Sequence, residues 1–91
     1  MKKLVFEIGD LVKRFHLYLE SRLPRLEFEI NVMIGEKETN SSKIENYLDI
    51  LLELSNYGVG NALFIKLLEY YKTVNEEGAR FYWEAYDKLK E

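Results

Sequence analysis

Residues 25–34 carry the tightest constraint in the chain. Leu26, Phe28, Ile30, Val32 and Ile34 alternate with Arg25, Glu27, Glu29, Asn31 and Met33. A period of two is the spacing of a strand that buries one face. Gly35 ends the run, and residues 36–41 read as a polar loop. A lone strand leaves its backbone N–H and C=O groups unpaired, so this one requires a partner. Three candidates exist: residues 3–8, a short return strand near 37–40, or the same strand of a second chain. The third would build a dimer around a two-stranded ribbon.

The remaining segments read as helices. Between residues 3 and 23, Leu4, Ile8, Leu11, Phe15 and Tyr18 follow a 4-3-4-3 seam, and Val5, Val12, Leu19 and Leu23 widen it. Phe6 and Leu17 fall on the opposite face. A competing reading starts a strand at Lys3 and turns at Gly9-Asp10, which places Phe6 in a core but still leaves Leu17 outside; the long helix is favoured, and Pro24 stops it. Ser42 and Glu45 have the spacing of a capping box, opening a helix that reaches about Asn56 before Gly58. A third helix from Asn61 to Thr73 buries Leu63, Phe64, Leu67, Leu68 and Tyr71. Asn75 caps a fourth, whose apolar face is Ala79, Tyr82, Ala85, Tyr86 and Leu89, bordered by Phe81 and Trp83. The expected fold is therefore a small, mainly helical α+β domain in the order α-β-α-α-α. Ninety-one residues make it a single domain spanning 1–91, since separate domains rarely fall below about 50 residues.

Composition narrows the chemistry. The chain has no cysteine, which removes disulfides, thiolate nucleophiles and Cys-based metal sites and favours a cytoplasmic setting. Met1-Lys2-Lys3 before an apolar stretch faintly resembles a signal peptide, but Glu7 and Asp10 interrupt it. No apolar run approaches the roughly 18 residues of a membrane span. The net charge of −3 argues against a generic nucleic-acid coat. That value averages opposite surfaces: residues 1–25 carry six basic and three acidic groups, and residues 26–55 two basic and seven acidic.

Few constellations could carry catalysis. His16 is the only histidine; Glu20 lies one turn later, but no nucleophile is implied by spacing. Glu45, Asp49 and Glu53 repeat every four residues without a basic i+4 partner. A divalent cation is one way to balance such a stripe, and a carboxylate-metal enzyme is the least favoured reading. A partner surface, first of all the basic N-terminal helix, is another. The second and third helices resemble a helix-turn-helix in outline, and strand-helix-helix resembles the ribbon-helix-helix order. Lys66 and Lys72 are nearly cancelled by Glu69, however, and Glu27 and Glu29 would face the DNA, so both are poor readers of bases.

The aromatic residues point elsewhere. Seven of thirteen fall between Phe64 and Tyr86. Phe64, Tyr71, Tyr82 and Tyr86 have core spacing, whereas Phe81 and Trp83 diverge by about 160° on their helix. Glu76, Arg80, Glu84 and Lys88 form an i,i+4 ladder that solvates the face between them. These features suggest a non-enzymatic protein-binding module: an adaptor, an inhibitor or a small subunit of a larger assembly, such as an accessory protein of a virus or mobile element. Its candidate contacts are Trp83, Tyr70, Phe81 and Ile65, with Phe6 and Leu17, and the acidic stripe Glu45, Asp49 and Glu53. Another protein is the expected partner, with a homodimer favoured, and neither a cofactor nor a membrane is implied. The alternative is a nucleic-acid-associated protein using Lys2, Lys3, Lys13, Arg14, Arg22 and Arg25.

Overall fold

The alternating run is a helix. In the computed structural model, which describes residues 13–89, Leu23–Gly35 forms α1, and the described residues contain no strand. The α+β expectation is thus corrected to an all-helical fold, and the shared-ribbon dimer loses its basis. The reason lies in a numerical coincidence. Leu26, Ile30 and Ile34 are spaced by four, so they satisfy a helical period as well as a period of two. With Leu23 and Met33 they make an apolar stripe, in which Leu26, Ile30 and Met33 are buried. A helix also pairs its backbone within itself, which removes the need for a partner strand. The cost is that Phe28 is 68% exposed and Val32 40%. Residues 37–40 form no return strand; they belong to the turn and loop after α1. Residues 3–8, the other intrachain candidate, lie outside the described residues.

Pro24 does not end a helix here but sits in the first turn of α1, where its missing N–H costs nothing. Residues 13–21 are helical ahead of it, with a turn at Arg22. This leading segment buries Leu19 and sets Phe15 edge-on against Tyr57, with centroids 5.1 Å apart.

Three further helices follow: α2 (Ser41–Ser55), α3 (Asn61–Val74) and α4 (Glu76–Leu89). Local signals set most of their ends. The Asn40 side chain, not Ser42, caps α2 by accepting from the Lys43 N–H. After α2 the chain closes in a Schellman turn: Gly58 is left-handed at φ 75°, and the Val59 N–H bonds the Leu54 carbonyl at 3.0 Å. Asn75 caps α4 as its sequence position implies, its side chain accepting from the Gly78 N–H at 3.0 Å.

The central helix is α3, which packs against α1, α2 and α4. Side-chain pairings give the directions. Glu29 meets Tyr47 and Glu38 meets Lys43, so α2 runs back along α1. Phe64 stacks on Tyr86 at 4.9 Å, so α4 runs back along α3. Ile30, Ile44, Leu48, Leu51, Phe64, Leu67 and Tyr71 are completely enclosed, and no charged residue among the described residues is buried with them. Among the described residues, no helix is long and apolar enough to cross a membrane.

Helix and strand make different demands on α1. Replacing Ile30 with Ala should cost about 2–5 kcal/mol in chemical denaturation. Phe28→Ala should cost less than about 0.5 kcal/mol, because that ring already faces solvent. A strand would bury both and make the two losses comparable. Two helical glycines should also respond oppositely. A Cβ on Gly35 meets open space, so Gly35→Ala should raise stability by up to about 1 kcal/mol. At Gly78 it would lie 2.6 Å from the Tyr71 hydroxyl, and Gly78→Ala should lower the melting temperature, costing about 1–3 kcal/mol.

Candidate functional site

Phenol hydroxyls supply what the acidic stripe lacks. Tyr71 on α3 donates to Glu45, and Tyr82 on α4 donates to Asp49 at 2.6 Å. A third such bond joins Tyr47 of α2 to Glu29 of α1 at 2.9 Å, on a carboxylate that also pairs with Arg25 at 3.2 Å. Each bond ties two helices together. Burial, followed by the hydrogen bond to the carboxylate, holds the Tyr47, Tyr71 and Tyr82 phenols above their ordinary range. They are therefore donors at neutral pH and not nucleophiles. Glu53 has no phenol; it lines a groove with Asp49, Arg22, Phe15 and Tyr57. Arg22, at the turn after the leading segment, lines the same groove, but no ion pair joins it to Asp49 or Glu53. Among the described residues, no three His, Asp or Glu side chains are grouped to hold a metal ion. His16 is half-buried, and no ion pair joins it to the exposed Glu20.

The aromatic candidates separate onto different surfaces. Trp83 is 47% exposed, and its ring lies 6.0 Å from Tyr86. It walls a groove of about 430 Å³ between α3 and α4, together with Leu68, Glu69, Lys72, Glu76, Ala79 and Arg80. Ile65, exposed one turn before Glu69, continues that face of α3. Phe81 is 67% exposed and sits edge-on to Tyr82. Tyr70 does not join Trp83. Its hydroxyl donates to the Glu38 carbonyl at 2.6 Å, on the α1 side of α3. Leu17 is exposed on the leading segment, and Phe6 lies outside the described residues.

Sequence reasoning missed Phe28, Val32, Phe15, Tyr18, Tyr57 and Leu89 as exposed apolar residues. The first two were assigned to a buried strand face; the signal that would have released them is the helical spacing of Leu23, Leu26, Ile30 and Met33.

Of the basic candidates, Lys13, Arg14, Arg22 and Arg25 are exposed, whereas Lys2 and Lys3 lie outside the described residues. Arg22 and Arg25 share a groove with Ser21, Asn46 and Tyr47, but the Glu29 carboxylate lines it too and pairs with Arg25. A phosphate placed there would meet that negative charge.

The raised phenols make stability fall with alkali. A folded-state pKa above the unfolded value near 10 leaves their contribution intact below about pH 10 and removes it as the pH climbs toward the folded-state values. Urea titrations at pH 8, 10 and 11 should show that decline. Tyr82→Phe should cost about 1 kcal/mol at pH 8 and make the decline shallower.

Comparison of the chain with protein-family models, curated proteins and solved structures finds no match.

Proposed function

We propose that the chain is a non-enzymatic protein-binding module, an adaptor, inhibitor or small subunit of a larger assembly, that receives its partner at the α3–α4 groove. The observation that carries this reading is Trp83, a rigid aromatic anchor with nearly half its surface open at the wall of a partly apolar groove. Tryptophan dominates binding energy at such positions because it buries a large area with few rotamers to freeze. The rim supports a protein contact as well. Glu69, Lys72, Glu76 and Arg80 alternate in sign, so the groove carries no net field to attract a polyanion. The three phenols are bonded to carboxylates and held neutral, which fits a structural role better than a catalytic one.

The test uses the intact chain as bait against a lysate of its own source, with captured protein quantified by mass spectrometry. Trp83→Ala should weaken capture by about 10- to 100-fold. Ile65→Ala should weaken it less, and Lys13→Glu with Arg14→Glu should leave it intact. Capture that instead tracks Lys13 and Arg14, and collapses with added salt, would replace this reading with phosphate binding.

A further inference from the structure

The outward face of α4 narrows the choice of partner. We infer that this face pairs with the same face of a second copy, antiparallel, about a two-fold axis at the level of Tyr82. The inference rests on the chain being a protein-binding module and names one occupant for it.

The charges on α4 are ordered for such a contact. Glu76, Arg80, Glu84 and Lys88 follow one another up the exposed side of the helix with signs −, +, −, +. Reversing that order inverts every sign. An antiparallel copy centred on residue 82 therefore sets Arg80 against the partner's Glu84 at the middle of the face, and places Glu76 level with the partner's Lys88 farther out. The two-fold axis repeats both pairs, giving an isologous contact. A parallel copy would set each charge against itself and is repelled. Within one chain these four side chains form no ion pair with any described residue, so their charges stand available to a second copy.

The exposed aromatics share the same symmetry. Phe81 and Trp83 lie one residue either side of Tyr82, and at about 100° per residue each is about 80° from the middle of the ladder, on opposite flanks. About the same axis, Trp83 meets the partner's Trp83 along one flank and Phe81 meets the partner's Phe81 along the other. Two strips of apolar contact thus border a strip of paired charge. Helix α4 has 14 residues and is about 21 Å long. A contact of that length buries less than the roughly 800 Å² per partner of a stable interface. The dimer is accordingly weak, with a dissociation constant on the order of 10–300 µM.

Sedimentation equilibrium over about 5–500 µM tests the pairing, with circular dichroism confirming that each variant is folded. The wild type should move from monomer to dimer across that range. Arg80→Glu should weaken association about tenfold, because the symmetry converts two attractions into two repulsions, and Glu84→Arg should do the same. The double variant Arg80→Glu with Glu84→Arg should restore association, since the two exchanged charges again face each other with opposite signs across the axis. A chain that stays monomeric throughout overturns the inference. So does a dimer indifferent to Arg80→Glu, or a folded double variant that is not restored. Because Glu76, Arg80 and Trp83 border both surfaces, capture of another protein by the groove is scored separately by Ile65→Ala, on α3 and outside the pairing face. A salt-insensitive dimer likewise overturns the charge pairing, because exposed ion pairs are screened within about 10 Å at 0.1 M salt.

Discussion

The helix arrangement turns on the hydroxyl of Tyr71. Its ring is completely enclosed at the junction of α2, α3 and α4, where a phenol without a partner would cost about 1–3 kcal/mol. Glu45 on α2 accepts its hydrogen bond and Asn75 donates to its oxygen at 3.4 Å, while Gly78 on α4 offers no Cβ where one would strike the ring. Asn75 also caps α4, so the residue that begins the last helix is held by the residue that centres the core. A single buried phenol thereby sets how closely α4 can approach and where it starts.

The same chemistry recurs at the flanks of the bundle. Tyr82 reaches Asp49 from α4, and Tyr47 joins Glu29 across α1 and α2. An acidic helix face without basic partners is mildly self-repelling. Neutral phenol donors lower that cost without placing a second charge near the core. Glu29 and Glu45 are half-buried and Asp49 is exposed, while the Tyr71 and Tyr82 rings are buried and Tyr47 is half-buried. This division of labour accords with a chain that is both tyrosine-rich and acidic through its middle, and with the absence of buried charged residues among the described residues.

Helix α4 then works on two sides. Ala79, Tyr82 and Tyr86 face the core, and Tyr86 stacks on Phe64. The opposite side carries the alternating ladder between Phe81 and Trp83. Trp83 belongs to both proposed surfaces, the groove shared with α3 and the outward face, so a copy pairing through α4 and a different partner in the groove compete for the same indole.

Helices α2, α3 and α4 were legible in the residues because their signals are local. A cap such as Asn75, a left-handed glycine such as Gly58 and a 3.6-residue apolar period act within one or two turns. The burial of Phe64, Tyr71, Tyr82 and Tyr86 followed from the same period. Even so, Asn40 took the cap assigned to Ser42, since both can accept from a nearby N–H and the choice depends on how the chain enters from the preceding loop. Only the tertiary structure decided α1. Leu26, Ile30 and Ile34 satisfy two periods at once, and the outcome depends on what covers them. Once α3 supplies an apolar surface, a self-satisfied helix is favoured over a strand whose backbone has no neighbour. The tertiary structure also found the donors for the acidic stripe, because the phenols that reach Glu45 and Asp49 lie 26 and 33 residues away along the chain. The sequence by itself determined which faces are apolar and where most helices begin and end. Which of two compatible periods was used, and what neutralised the carboxylates, were settled by long-range contacts that no local spacing encodes.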